Sequence, residues 1–221
     1  FPGPGASAQD VALALSEPEP VATHWLDLLT RIRLANYDVE SGLYWLHPRM
    51  HEEAWRRLDQ APRGAELGES AAKVMAARAM EIGKEMKRNV HRALVRWTSL
   101  EPQLSAIDPK RWAGRPGQRS VAYVVGVIDQ FVAMRYNSKD RETRLADAIA
   151  LTTHSDEMIA ERAFLLKSRG DLRVRTARLQ EAEDDYEIAV SLYRGLPGEA
   201  NALKSRGDLR LRTDRLQGAE E

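Results

Sequence analysis

Apolar positions along this chain recur mostly at intervals of three and four residues, the mark of helices that bury one face. Val11, Leu13 and Leu15 follow Ser7 and Asp10, a capping-box-like start, and predict a short helix that Pro18 and Pro20 end. Trp25, Leu28, Leu29 and Ile32 recur at helical spacing and predict a second helix burying that stripe. The pattern then changes. Leu34–Tyr37 and Leu43–Leu46 flank the polar, glycine-containing turn Asp38-Val39-Glu40-Ser41-Gly42, which predicts a β-hairpin. Pro48 suits the first turn of another helix, where Met50, Ala54, Trp55 and Leu58 share a face. Ala61-Pro62-Arg63-Gly64 is a linker. Beyond it Met75, Ala79, Ile82, Met86, Val90, Ala93 and Trp97 form one continuous stripe, which predicts a single helix from Ser70 to about Thr98. Pro102, Pro109, Gly114, Pro116 and Gly117 mark an irregular connector. Helices then resume in pairs: Val121–Tyr136 with Arg141–Thr152, Asp156–Arg175 with Leu179–Arg194, and Glu199–Arg212 opening a third pair.

An internal repeat runs through the last pairs. Lys167-Ser168-Arg169-Gly170-Asp171-Leu172 recurs as Lys204-Ser205-Arg206-Gly207-Asp208-Leu209, an offset of 37 residues from 167 to 204. Arg178-Leu179-Gln180 recurs as Arg215-Leu216-Gln217 at the same offset. Periods of roughly 20–50 residues built from helix pairs point to an all-α stacked array.

These residues resemble the tetratricopeptide repeat. Gly170 and Gly207 match its helix-A glycine, and Ala182 and Ala219 its helix-B alanine. Tyr186 matches the aromatic position, Ala189 the next small one, and Leu166 and Leu203 the bulky position before the glycine. The 37-residue period exceeds the ~34 residues common in that family, which implies longer helices or turns. Arg169, Arg173, Arg206 and Arg210 fall where the family usually has apolar or aromatic residues, so either their stems cover the helix seam or the packing is looser. The resemblance implies a concave helix-A surface carrying Lys167, Asp171 and Arg175 from one repeat and Asn201, Lys204, Asp208 and Arg212 from the next. That surface is either a charged groove for a peptide or partner domain, or a solvated polar face. Asp184-Asp185 reads as solvent-facing.

The start of the chain resembles the winged-helix region of STAND-type signalling NTPases, relatives of NB-ARC and AP-ATPases. The matching run is Leu28-Leu29-Thr30-Arg31-Ile32, Tyr37-Asp38, then Gly42-Leu43-Tyr44-Trp45-Leu46-His47-Pro48 and the helix through Trp55 and Leu58. Phe1-Pro2-Gly3 resembles the turn after that domain's first helix. Such proteins often carry tetratricopeptide repeats downstream of a helical connector. The resemblance implies that His47 faces the nucleotide phosphates of a neighbouring ATPase domain; imidazole donates a hydrogen bond to phosphate in either protonation state. Pro48 stands where that family often has Asp. The competing reading is a histidine packed between wing and helix.

The expected architecture is therefore mainly α. Residues 1–60 form a small winged-helix-like domain with one hairpin, and residues 61–119 a long helical connector. Residues 120–154 form a degenerate or capping pair, and residues 155–221 a tetratricopeptide-like helix-turn-helix solenoid with its last repeat truncated. Without an initiator Met and closing inside what looks like a repeat, the chain reads as a segment of a longer polypeptide.

Composition narrows the chemistry. Thirty-three basic residues match 33 acidic ones, for no net charge, which argues against a nucleic-acid partner. The absence of cysteine removes disulfides and thiolate chemistry and fits the cytoplasm. No apolar run approaches the ~20 residues of a membrane span. No G-x-x-x-x-G-K-[S/T] phosphate loop occurs, so ATP or ADP would belong to an upstream domain and no cofactor is expected here. His47 and His51 have no evident third ligand, so no metal site is expected, and no nucleophile–base signature marks an enzyme. The Met-rich stripe Met75, Met80, Met86 reads as core. Three functions follow: the regulatory and sensor segment of a STAND-type NTPase, whose partner is a protein, a peptide or another domain of the same polypeptide; a free-standing cytosolic repeat adaptor; or a winged-helix DNA-binding regulator. Placing Trp25, Trp45 and Trp55 in the core weighs against the last.

Overall fold

In a computed structural model, which describes residues 5–105, 107–135 and 139–217, the chain is mainly helical with one small antiparallel hairpin. Residue–residue contacts divide it into two compact units, with the boundary between Val124 and Val125.

The first unit begins as its capping pattern predicts. Ser7 Oγ accepts from the backbone N–H of Asp10 at 3.1 Å and opens α1 (Ala8–Leu15). Pro18 precedes α2 (Glu19–Arg31). Strands β1 (Ala35–Asp38) and β2 (Leu43–Leu46) pair with Tyr37 opposite Tyr44. Ala6 adds a further backbone bridge to Tyr44, through hydrogen bonds of 2.9 and 3.0 Å. The hairpin leads into α3 (Pro48–Gln60), which starts at the proline. The resemblance noted at Phe1-Pro2-Gly3 lies outside the described residues.

Two expectations fail in this unit. The stripe Trp25, Leu28, Ile32 on α2 is exposed, at 42%, 49% and 56%. The helix buries Ala22 and Leu26 instead, where the small Ala22 permits close approach of its neighbour. The tryptophans of the core are Trp97 and Trp112, while Trp45 and Trp55 are half-buried. The single helix expected from Ser70 to Thr98 is two: α4 (Gly64–Arg88) and α5 (Val90–Ser105), separated by an extended Asn89. The Asn89 side chain accepts from the Arg92 N–H at 3.0 Å, an N-cap inside the apolar periodicity. Arg92 reaches Glu85, and Arg96 reaches both Glu81 and Glu85, so the helices fold back antiparallel and share the stripe Met75, Ala79, Ile82, Ala93, Trp97. Met80 is exposed and Met86 half-buried, so the methionine stripe is only partly core. Since α4 also packs on α1 and α3, the expected connector belongs to the same unit as the hairpin domain.

The second unit holds the rest of α6 (Gln118–Arg135), then α7 (Lys139–Thr152), α8 (Ile159–Arg175), α9 (Leu179–Tyr193) and α10 (Glu199–Gln217). Arg169 meets Asp185 and Arg173 meets Glu181, so α8 and α9 run antiparallel. Ala202 packs with Tyr193, and Leu209 with Ala182 and Tyr186, so α9 and α10 do too. Expected to end at Arg212, α10 continues to Gln217. The turn after α8 passes through Ala177 at φ 60° and is held by α9 folding back; among the described residues nothing follows α10 to hold the matching turn.

Candidate partner-binding face

Small residues decide how closely helices of the second unit approach. A Cβ on Gly170 would lie 2.6 Å from Tyr186 Cε1 and 2.8 Å from Cδ1. The glycine is a notch that admits the phenol ring, and Ala182 and Ala189, both fully buried, let the rest of α9 lie close. Leu166 is 3% exposed, as its repeat position predicts. The matching residues of α10 differ. Leu203 is 47% exposed and a Cβ on Gly207 would meet nothing within 4 Å. Helix α10 packs through Ala202 and Leu209, and Leu203 lies off that face; this corrects its expected packing role. Ala219 lies outside the described residues. Gly126, which the repeat pattern does not single out, is a second tight notch: its Cβ would lie 2.5 Å from Phe164 of α8.

The arginines at unusual repeat positions hold the helices by charge. Arg169 grips Asp185 with two hydrogen bonds of 2.9 and 2.6 Å, and Arg173 reaches the same carboxylate at 2.9 Å. Arg173 also donates to Glu142 of α7 at 3.1 Å, and Arg178 pairs with Glu142 as well. Burial pushes the Glu142 carboxyl up, but the hydrogen bonds from Arg178 and Arg173 outweigh it and the net shift is downward. One repeat on, Arg206 and Arg210 reach back to Glu183 of α9 at 3.0 and 2.8 Å. Asp185, expected in solvent, is 1% exposed, whereas Asp184 is exposed. A buried carboxylate persists only when paired, and two guanidinium groups supply that pairing. The acidic dipeptide alone carries no sign of which carboxylate turns inward.

The seven expected face residues fall into two sets. Lys167 and Asp171 on α8 pair with each other at 2.7 Å, and Asp171 also accepts from the Tyr186 hydroxyl at 2.7 Å. Arg175 donates to the Ala133 carbonyl near the end of α6 at 2.6 Å. These three are engaged within the unit. Asn201, Lys204, Asp208 and Arg212 on α10 are exposed. Asp208 is close enough to act on the Tyr186 hydroxyl by charge, so the α8 and α10 sets are neighbours. Beyond them, Asp129 of α6 is buried against Arg141 of α7, with hydrogen bonds of 2.9 and 3.0 Å. Burial raises the Asp129 carboxyl against the opposing effect of Arg141.

Burial, then the Asp171 charge, push the Tyr186 phenol well above its ordinary 10.0, and burial pushes Tyr193 up to about 12. Below pH 10.0 both folded and unfolded phenols keep their protons and these groups impose no pH dependence. Above it the unfolded chain releases protons that the folded chain retains, so stability falls as pH rises. Tyr186→Phe is expected to flatten the loss between pH 8 and about pH 11 without abolishing it, since Tyr193 remains. Urea denaturation at the two pH values checks this.

His47 is exposed at the junction of β2 and α3, and its carbonyl accepts from the N–H groups of Met50 at 2.7 Å and His51 at 3.2 Å. Among the described residues, no group of three or more His, Asp or Glu side chains is placed to hold a metal ion, and no helix is long and apolar enough to cross a membrane. Compared with family profiles, with curated proteins and with solved structures, the chain matches none.

Proposed function

We propose that this chain is a non-catalytic regulatory and protein-interaction segment: a winged-helix region joined to tetratricopeptide-like repeats, of the kind found in STAND-type signalling NTPases. The observation that carries the reading is the close crossing of α8 and α9 at Gly170 and Tyr186, within a sequence that repeats the same glycine 37 residues later, from 170 to 207. Repeated crossings of this kind stack helix pairs into a scaffold whose first helices line one surface. Asn201, Lys204, Asp208 and Arg212 are the free polar groups that surface would offer a protein or peptide. Lys167, Asp171 and Arg175 would set its charge from within.

The exposed apolar face of α2, at Trp25, Leu28 and Ile32, favours a docked regulatory segment over a free-standing adaptor. An adaptor has no use for that face, whereas a winged-helix region lying against another domain of the same polypeptide covers it. His47, exposed beside the hairpin, is then placed at the edge of such a contact. In this reading the nucleotide belongs to the neighbouring domain, the segment works in the cytoplasm, and nucleic acid is not a partner.

The parent reading frame tests the nucleotide-coupled part: a G-x-x-x-x-G-K-[S/T] loop is expected upstream of residue 1, and a frame without one removes it. The interaction part is tested separately. Once a partner is in hand, Lys204→Glu with Arg212→Glu is expected to weaken its binding about tenfold or more, while Asp184→Ala leaves it unchanged. Unchanged affinity in the double variant moves the contact off α10.

A further inference from the structure

The first unit contains an apolar cavity of about 270 Å³ between α1, β2, α3 and α4. Its walls include Leu46, Leu58, Ala71 and the tryptophan pair Trp55 and Trp112, whose rings meet edge to face with centroids 5.7 Å apart. A second cavity of about 300 Å³ adjoins it and shares Trp55, Leu58, Gly68 and Trp112, so space lies on two sides of the same aromatic pair. Cores of this size ordinarily close such voids, because each unfilled contact forfeits dispersion energy. The Trp112 indole N–H has no acceptor among the described residues, although the side chain is only 2% exposed. A buried donor left unmatched is a cost that a bound acceptor removes.

The outer wall is held loosely. Helix α3 is tied to the segment after α5 by Arg111 pairing with Glu52 and Arg115 with Asp59, and Arg115 also lies over the Trp55 ring at 5.7 Å. These ion pairs are exposed, and exposed pairs hold little. The wall therefore opens without disturbing the buried α4–α5 stripe.

We propose that this cavity is a binding site for a small, planar, apolar molecule of one or two rings that carries a single hydrogen-bond acceptor. The rings fill the space beside Trp55 and the acceptor meets the Trp112 N–H. This site is independent of the repeat surface: it lies wholly within the first unit, and its ligand is a small molecule. Gly68 gives the means to fill it. A Cβ there meets nothing nearer than Trp112 Cζ3 at 4.0 Å, so a longer side chain enters the cavity from a helical position that accepts it.

The test is calorimetric titration of the full chain with 2-acetylnaphthalene and with 2-ethylnaphthalene, which differ in the acceptor. The acetyl compound is expected to bind one per chain, about tenfold tighter than the ethyl compound, the value of one hydrogen bond. Gly68→Leu and, separately, Ala71→Leu are expected to weaken it by about tenfold or more while circular dichroism stays unchanged. The second substitution stands in if the first fails to fold. Trp112→Phe is expected to erase the difference between the two compounds. Equal affinities for both, binding that survives the filling substitutions, or no saturable binding up to the solubility limit would each overturn the proposal.

Discussion

Gly170→Leu is expected to lower the stability of the second unit by about 3 kcal/mol or more, whereas Gly207→Leu, at the same repeat position, is expected to change it by less than about 0.5 kcal/mol. The contrast follows from what each added side chain meets. At 170 the first added carbon already lies 2.6 Å from the Tyr186 ring, a distance real Cβ atoms do not reach. Either α8 and α9 separate or Tyr186 leaves its site. Separation opens the seam around Ala182 and Ala189, and displacement exposes a ring that is now 3% exposed and breaks its 2.7 Å bond to Asp171. At 207 the added carbon meets nothing within 4 Å, and replacing a mid-helix glycine adds helix propensity. Urea denaturation followed by circular dichroism separates the two variants. Equal losses at both positions would show that the glycines act through the backbone and not through the crossing.

Asp185→Ala is expected to be the next most damaging substitution, costing about 3 kcal/mol, while Asp184→Ala stays within about 0.5 kcal/mol. Removing the Asp185 carboxylate leaves Arg169 with neither of its two close bonds and Arg173 with its charge turned only toward Glu142 and Glu181. Two half-buried guanidinium groups facing each other across the vacated site repel, and neither reaches full hydration without moving the helices apart. The double change Asp185→Ala with Arg169→Leu is expected to recover part of the loss, because the uncompensated charge goes with the acid. Denaturation midpoints of the four proteins check both statements.

These effects show which parts of the fold were legible in the residues. Helix positions in the second unit follow the three-and-four periodicity to within a few residues, because each helix buries a single apolar face and its ends coincide with glycine, proline or polar turns. The hairpin was legible because aromatic and apolar residues crowd both sides of one polar turn. Asn89 was not. Apolar periodicity runs unbroken across it, and only its capping side chain distinguishes a helix end from a helix interior. The α2 stripe misled for a related reason: spacing identifies an apolar face but does not say whether anything covers it, and this one is uncovered.

The candidate face was half legible. Gly170, Tyr186, Ala182 and Ala189 occupy the places their recurrence predicts, since close packing constrains residue size strongly. Leu203 and Gly207 occupy equivalent sequence positions without the equivalent environment, because the surface that would press on them is not among the described residues. Charge was least legible. Lys167, Asp171 and Arg175 form bonds inside the unit, and Asp185 is buried, yet each has the composition of an ordinary exposed helix face. Long side chains reach partners one helix away, and nothing in their own segment specifies that partner.

A double-mutant cycle between Gly170→Leu and Tyr186→Ala measures the helix crossing itself. Removing the ring should create the space the leucine needs, so the double variant is expected to be more stable than the summed single costs by about 2 kcal/mol or more. Costs that simply add, within about 0.5 kcal/mol, would mean that the two residues do not share a site and that the helices do not nest at this glycine.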